Sequence, residues 1–311
     1  MMRRARRAVF VVSVAMGLFF SAQANAAGVE CAVIASPAKT LATQSKYDQN
    51  DSSRSTILES AFQERNNILR PIRRSIAGLA QFRFDTHDGL QSAQTNAACI
   101  NENVIRWARA GALTQMDTPD AFLARDRFMG EILLTLMSSA KIQPMNAGDR
   151  EVVAKWLVKI ADSTVEYYEY RAGQKSRINN HRYWAGLAVG AIGFFLENAK
   201  YEDWGKRSYG LGVCQVDAEG YLPLELSRGA LALDYHVYSL RPLQALATLA
   251  ASQGQNLENE CNGGLKRLRD QTLAAIKNSD DISERTGLKQ NVHFRDTSFI
   301  APLQLAALGL L

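Results

Sequence analysis

The spacing of apolar residues constrains the fold of this chain more than any other feature. From Thr56 to Phe84, apolar side chains recur mostly at steps of three and four residues, the period of one helix face. The same spacing predicts further helices over 96–113, 121–139, 149–170, 179–195, 224–251, 264–277 and 299–311, and one before Cys214. Strand-like alternation is nearly absent, so the sequence predicts an all-α fold.

Local signals refine this helical pattern. Asp117-Thr118-Pro119 is a helix start signal, and an asparagine before His181 is a natural N-cap. The segment that follows is apolar almost all round through Phe195, which is typical of a central helix. Pro71 predicts a kink or break, Pro242 a bend, and 217–220 a turn. The polar stretches 44–54 and 278–293 are predicted loops.

The N-terminus has the pattern of a secretory signal peptide. Four arginines precede the apolar run from Ala8 to Phe20, and Ala24-Asn25-Ala26 supplies the small residues of a cleavage site. The run is shorter than the roughly 20 residues that cross a bilayer. We therefore expect residues 1–26 to be removed, which leaves residues 27–311 as a single periplasmic domain without a membrane anchor.

Removal of this segment changes what the charge implies. The net charge of +5 falls to +1, because the four arginines are the only charged residues of the segment. A charge so close to zero gives no reason to expect a nucleic-acid partner, and attraction of an acidic ligand would depend on local clusters. The four cysteines remain, and an oxidising compartment favours disulfides, in any of three pairings.

Two segments carry residue types suited to catalysis. The first is Asn179-Asn180-His181-Arg182-Tyr183-Trp184, where Asn180 and Trp184 share a helical face. In the second, Arg228, Leu231, Tyr235 and Tyr238 follow a helical spacing, so a guanidinium and a phenol are predicted to point the same way. No histidine pair has the HxxxH or HxH spacing of a metal site.

These segments resemble the signature regions of mannuronate-type alginate lyases, polysaccharide lyase family 5. The matches are Asn-Asn-His-x-Tyr-Trp and Arg-x-x-Leu-Ala-x-x-Tyr-His-x-Tyr, the latter beginning at Arg228. Further matches are Ser45-Lys46-Tyr47, the stretch from Trp107 to Leu113, and Gln215-Val216-Asp217 with Gly220-Tyr221-Leu222-Pro223. The resemblance therefore covers most of the chain after residue 26.

The resemblance implies an α/α toroid with a deep cleft, a mobile lid loop and an elimination that needs neither metal nor cofactor. It assigns catalysis to Asn180, His181, Arg228 and Tyr235. Substrate contacts fall to Lys46 and Tyr47 on the lid, and to Trp184, His236 and Tyr238. The expected partner is an anionic polysaccharide, bound by a monomer.

The chemistry requires the same residue types. Abstraction of the C5 proton beside a carboxylate places two negative charges on one group, which Asn180 and Arg228 can oppose. A base must take the proton and an acid must protonate the leaving oxygen. A nearby guanidinium would favour the phenolate of Tyr235. We assign His181 as base or carboxylate partner and Tyr235 as acid, and which of the two takes the proton is left open.

Two other functions are compatible with such a chain. A glycoside hydrolase needs two carboxyl groups, and Glu225 and Asp234 are candidates, although nine residues along a helix place them on different faces. A non-catalytic protein that binds or guides a polyuronate during export would keep the cleft. The sequence leaves open which uronate is preferred, endo or exo action, and a biosynthetic or catabolic role.

Overall fold

Helices make up nearly all of the regular structure in the computed structural model, which describes residues 31–82 and 89–292. The predicted signal peptide and the predicted helix at 299–311 lie outside these ranges. The described residues belong to one compact unit that begins at Cys31. None of the helices in these ranges is long and apolar enough to cross a membrane.

The described residues form ten α-helices. They are α1 (Glu59–Leu79), α2 (Leu90–Ala110), α3 (Pro119–Ile142), α4 (Ala147–Glu166), α5 (Asn180–Leu196), α6 (Ala199–Val213), α7 (Pro223–Leu226), α8 (Ala232–Ser252), α9 (Glu260–Lys277) and α10 (Asp280–Thr286). A π-helical turn, Tyr167–Arg171, extends α4, and left-handed backbone angles at Cys261–Gly263 interrupt the first turn of α9. Two short parallel strands, β1 (Thr40–Leu41) and β2 (Gln115–Met116), were not predicted.

The predicted helix starts at Thr118 and Asn179 are confirmed. The Thr118 hydroxyl accepts a hydrogen bond from the backbone N–H of Ala121, and Pro119 occupies the first position of α3. The Asn179 side chain accepts from the backbone N–H of His181. α1 runs through Pro71 without a break, so the alternative of a break there is wrong.

α5 is the central helix, as its apolar sequence predicts. It packs against α3, α4, α6 and α8, and nearly all of its residues are buried. Its approach to α6 depends on glycine: a Cβ on Gly193 would lie 2.3 Å from the backbone nitrogen of Glu202, and one on Gly205 would lie 2.5 Å from the Gly190 Cα. This packing holds the N-terminus of α5, with Asn180 and His181, against the core.

Two predicted segments differ from the structure. The single helix predicted over 224–251 is divided into α7, a 3₁₀ turn at Gly229–Leu231, and α8. The division follows from Gly229, whose φ of 57° is left-handed and incompatible with a continuing α-helix. The predicted loop at 278–293 contains α10, which buries Ile282 against α7, α8 and α9. The apolar cluster around Ile282 stabilises this helix despite the polar composition of the segment.

The four cysteines form two disulfides, which is one of the three possible pairings. Cys31 is bonded to Cys99 on α2, and Cys214 at the end of α6 is bonded to Cys261 on α9. The first ties the N-terminal end of the described chain to the helical core. The second joins α6 to α9 beside Gly264, where a Cβ would lie 2.2 Å from the Val213 carbonyl oxygen.

Candidate active site

Arg228 lies at the centre of the candidate site. Its guanidinium carbon is 3.7 Å from the centroid of the Tyr235 ring and 4.9 Å from that of Tyr47, distances typical of cation–π contacts. One terminal N–H donates to the backbone carbonyl of Arg54. Its Nε is buried and has no hydrogen-bond partner among the described residues, so this donor is available to a ligand.

The predicted contact between Arg228 and Tyr235 exists, but the two residues do not share one face of a continuous helix, as the sequence predicted. Arg228 precedes the 3₁₀ turn at Gly229–Leu231, whereas Tyr235 lies in the first turn of α8. The left-handed turn at Gly229 redirects the chain and brings the guanidinium over the phenol ring. The pair therefore depends on a reversal that a single helix would not contain.

Tyr235 is held in its protonated form. Burial raises the pKa of the Tyr235 phenol well above its ordinary value, and Tyr47 adds to this rise, while Arg228 acts in the opposite direction. The predicted stabilisation of the phenolate by Arg228 is thus outweighed by desolvation. The hydroxyls of Tyr235 and Tyr47 are hydrogen-bonded at 2.7 Å. A neutral phenol in such a pair can donate a proton.

His181 is neutral at physiological pH. Burial lowers the pKa of its imidazole to about 4, and the positive charges of Arg228 and Arg65 contribute to this shift. The His181 ring makes no hydrogen bond to another described residue, and only the backbone N–H of His181 is bonded, to the Asn179 side chain. Both ring nitrogens are therefore free of partners within the described ranges, and one of them can accept a proton.

Asn180 faces a carboxylate that the sequence did not place in the site. Its side-chain nitrogen lies 3.0 Å and 3.1 Å from the two carboxylate oxygens of Glu225, and its backbone N–H also donates to Glu225, at 3.2 Å. Both residues are 1% exposed. Burial raises the pKa of Glu225, while the Asn180 hydrogen bonds and the charge of Arg228 oppose this rise.

The polar stretch 44–54 forms an ordered hairpin against the site. Tyr47 and Ile57 pair in an antiparallel bridge, flanked by hydrogen bonds of 2.9 Å from Asp48 to Thr56 and from Leu58 to Lys46. The tip is organised by Asp51, and hydrogen bonds led by those from Ser53 and Thr56 hold the pKa of its carboxyl well below its usual range.

The hairpin carries both of the predicted lid residues. Tyr47 is hydrogen-bonded to Tyr235, as described above. Lys46 places its ammonium 5.1 Å from the centroid of the Tyr47 ring and 5.5 Å from that of Phe62 on α1. The hairpin thus lies over Arg228 and Tyr235 in this structure, which is a closed arrangement.

The remaining predicted contact residues have different positions. Tyr238 is partly exposed and packs against Tyr235, with ring centroids 6.1 Å apart. Trp184 is 2% exposed and packs against Tyr238, with ring centroids 5.2 Å apart, so it supports the Tyr238 ring from within the core. His236 is 1% exposed, and its two ring nitrogens bond the Ala232 carbonyl and the Leu222 N–H. The prediction that His236 binds substrate is therefore wrong, because the ring has no free polar atom.

Charged residues that the sequence analysis missed surround the cluster. Arg65 of α1 and Asp120 of α3 form an ion pair at 2.9 Å, and the charge of Arg65 acts on both His181 and Tyr238. Burial raises the pKa of Asp120, partly offset by Arg65 and then Lys46. Glu225 was considered from the sequence only as a hydrolase candidate, and its position two residues after the matched Gly220–Pro223 stretch was a signal for the site. Arg65 and Asp120 lie far apart in the chain, and no motif connects them.

No group of three or more potential metal ligands occurs in residues 31–82 and 89–292. A surface pocket of about 580 Å³ has Tyr221, Gln271, Asp281 and Arg285 in its lining, which contains none of the predicted site residues. The candidate site is thus defined by its cluster of side chains.

Comparisons with known proteins show the family of this chain. The family model described as alginate lyase matches residues 127–282. An alginate lyase of Cobetia marina is 32% identical over 262 residues, which cover 80% of this chain and 67% of that protein. An alginate lyase of Pseudomonas putida is 31% identical over 262 residues, with coverage of 80% and 68%.

Solved structures extend the comparison to the fold. Alginate lyase A1-III, in a histidine-to-alanine variant complexed with a tetrasaccharide, has a TM-score of 0.72 and 22% identity, and the match covers 89% of this chain and 78% of that one. A tyrosine-to-phenylalanine variant complexed with a tetrasaccharide has a TM-score of 0.68 and 23% identity, covering 83% and 72%. Since A1-III is an α/α toroid, the predicted fold class is confirmed.

Proposed function

Because this chain belongs to the alginate lyase family, we propose that it cleaves an anionic polyuronate, with mannuronate-rich alginate as the first candidate, by β-elimination. The observation that supports this most directly is the arrangement around Arg228. An unpartnered, buried guanidinium N–H lies beside a neutral phenol and a neutral imidazole. Such a set offers a cation for a carboxylate, a proton acceptor and a proton donor.

The first requirement is neutralisation of the uronate carboxylate. When the C5 proton leaves, negative charge builds up on this carboxylate, and a charged donor in a dry site stabilises it more than water does. We assign this contact to the free Nε–H of Arg228, with the Asn180 amide beside it. The two tyrosine rings that enclose the guanidinium fix its position before substrate arrives.

The second requirement is a pair of proton transfers. His181 accepts the C5 proton, the C5–H electron pair forms the C4–C5 double bond, and the bond from C4 to the glycosidic oxygen breaks. Tyr235 gives its proton to the departing oxygen, and the C5 proton then passes from the His181 imidazolium through water to the Tyr235 phenolate, which restores both groups. A uronate carboxylate on Arg228 offsets the charge that depresses the His181 pKa, so substrate itself makes the imidazole a stronger base.

The hairpin at 44–58 completes the site. Because it lies over Arg228 and Tyr235, it must move for a polymer to enter and then close again. Closure excludes water from the carboxylate and brings Tyr47 back to Tyr235. Lys46 adds a cation to the same face, so an acidic polymer favours the closed arrangement.

The alternatives fit the site less well. A hydrolase would need Glu225 as an acid or base, but Asn180 engages both of its carboxylate oxygens, and the residue is buried. A non-catalytic binding protein needs cations and aromatic rings but gains nothing from a neutral imidazole beside a protonated phenol. The alginate lyase family assignment also favours an enzyme.

We further propose that the protein acts in the periplasm as a monomer, after removal of residues 1–26. The two disulfides support an oxidising compartment.

The test is ultraviolet absorbance during incubation with polymannuronate, polyguluronate and polyglucuronate in separate reactions. Elimination creates a double bond conjugated to the carboxylate, so absorbance should grow with at least one polymer, fastest with polymannuronate, and Tyr235→Phe should abolish most of it. New reducing ends without absorbance would identify a hydrolase. Polymer binding without either product would identify a non-catalytic protein.

A further inference from the structure

Glu225 stands out as a buried carboxylate at the site for which the proposed reaction has no step. It lies on the four-residue helix α7, three residues before Arg228, and faces the N-terminus of α5. A carboxylate at a helix N-terminus is stabilised by the helix dipole and by the unpaired backbone N–H groups. The backbone N–H of Asn180 takes part in this arrangement.

Glu225 contacts the side chain of Asn180 as well as its backbone N–H, although the backbone contact alone would cap the helix. Its Nδ2 is almost equidistant from the two Glu225 oxygens, at 3.0 Å and 3.1 Å. Seen from Nδ2, these oxygens subtend an angle much smaller than the one between two amide protons, so one N–H is shared between them. The second amide proton remains for another acceptor.

Glu225 also determines which way the amide is turned. An ionised carboxylate only accepts hydrogen bonds, so it selects the Asn180 nitrogen and rejects the oxygen. The Asn180 Oδ1 is consequently left on the other side, buried and without a partner among the described residues. An unsatisfied buried acceptor is unfavourable, so Glu225 imposes this orientation against an opposing cost.

We propose that Glu225 is a positioning residue, which turns the Asn180 amide so that its second proton meets the uronate carboxylate beside Arg228. The inference rests on the proposed function. In this inference the buried Glu225 carboxylate aligns the uncharged Asn180 donor with the Arg228 guanidinium. The charge of Arg228 also acts on Glu225, since it lowers the pKa of that carboxyl against the effect of burial. Glu225 itself touches neither substrate nor the reacting atoms.

The decisive variant is Glu225→Gln. Glutamine has nearly the same shape, and its oxygen can still accept from the backbone N–H of Asn180. Its NH₂ group, however, puts a donor where the oxygen 3.1 Å from Nδ2 stood, so the shared hydrogen bond is lost on that side and the Asn180 amide is no longer held in one orientation. We expect kcat to fall by ~10², the lower end of the loss seen when one oriented donor is removed, while KM changes little. Glu219→Gln, the same substitution at an exposed position, should leave kcat unchanged.

A double-mutant cycle separates positioning from general damage. If Glu225 acts through Asn180, Glu225→Gln should cost almost nothing further in the Asn180→Ala background. An equal loss of kcat in both backgrounds would overturn the inference, as would full turnover in Glu225→Gln. Thermal unfolding followed by circular dichroism checks that each variant is folded.

Two provisions keep the test decisive. If Glu225→Gln does not fold, Glu225→Asp replaces it in the cycle, because aspartate keeps the charge but withdraws the carboxylate from Nδ2 by one methylene. If the wild-type protein produces no ultraviolet-absorbing product from any polyuronate, the proposed function fails and this inference with it. Activity in the wild type with an additive cycle would refute the inference alone.

Discussion

Both ring nitrogens of His236 are hydrogen-bonded within the protein, so we predict that this histidine contributes to stability and not to catalysis. Burial lowers the pKa of His236 to about 4 from an ordinary 6.5, although the hydrogen bond to Ala232 and the charge of Asp217 act in the opposite direction. Protonation would remove the acceptor that the Leu222 N–H uses. The folded state therefore resists a proton that the unfolded chain readily takes.

The sign and size follow from linkage. Between pH 4 and 6.5 the unfolded chain binds more protons at this residue than the folded protein, so the free energy of unfolding falls as the pH falls through this window. Above pH 6.5 the contribution is fully present. At 1.36 kcal/mol per pKa unit, the loss on reaching pH 4 is about 3 kcal/mol.

The perturbation is His236→Gln, which does not titrate. Urea unfolding of wild type and variant, followed by circular dichroism with disulfides intact, gives the free energy of unfolding from pH 7 to pH 4. The raised pKa values of Glu225 and Asp126 act with the opposite sign, but both proteins contain these groups, so they cancel in the difference. The wild type should lose about 3 kcal/mol more than the variant.

His181→Gln is the matched control, because its imidazole has a similarly low pKa, also about 4. Both variants should flatten the dependence of stability on pH, but only His181→Gln should lower turnover, by ~10²–10⁴. Equal acid destabilisation of wild type and His236→Gln would refute the structural role. A turnover loss in His236→Gln as large as that in His181→Gln would restore it as a substrate contact.

Three further outcomes are expected. Tyr235→Phe should lower kcat by ~10²–10⁴ with little change in polymer binding, measured by absorbance and calorimetry, and near-normal turnover would show that tyrosine is not the acid. Lys46→Ala should weaken catalysis at low salt and flatten its salt dependence, while the exposed-site control Lys39→Ala should not; identical kinetics in the two would remove the lid role. Thiol titration of the denatured, unreduced protein should detect no free cysteine, and four free thiols would contradict both disulfides.

Most of the candidate site residues were predicted from the sequence, through the resemblance to a known family. The motifs predicted Asn180, His181, Arg228 and Tyr235 as one group, and the structure places Arg228 against Tyr235 and close enough to shift the pKa of His181. The protonation states of the site residues were predicted less accurately, because they depend on burial. Whether the Tyr235 phenol ionises depends on solvent exclusion by residues distant in sequence, so Arg228 alone gave the wrong balance.

Several decisive contacts join residues that no local pattern connects. Tyr47 meets Tyr235 across 188 positions, and Asn180 meets Glu225 across 45. Helical periodicity also failed to predict the break at Gly229, because one glycine in an apolar run leaves the average spacing of apolar residues almost unchanged. The polar stretch at 278–293 gave no hint that Ile282 would be fully buried.

The sequence by itself determined the helical class, the central position of α5 and the candidate catalytic groups, since periodicity, capping and motifs are local properties of the chain. The tertiary structure decided the charge states and partners of those groups. It made His236 a buried structural residue, kept Tyr235 protonated and turned the Asn180 amide toward Glu225. The physical reason is that desolvation and hydrogen-bond geometry are set by what packs around a side chain, and these neighbours come from distant parts of the chain.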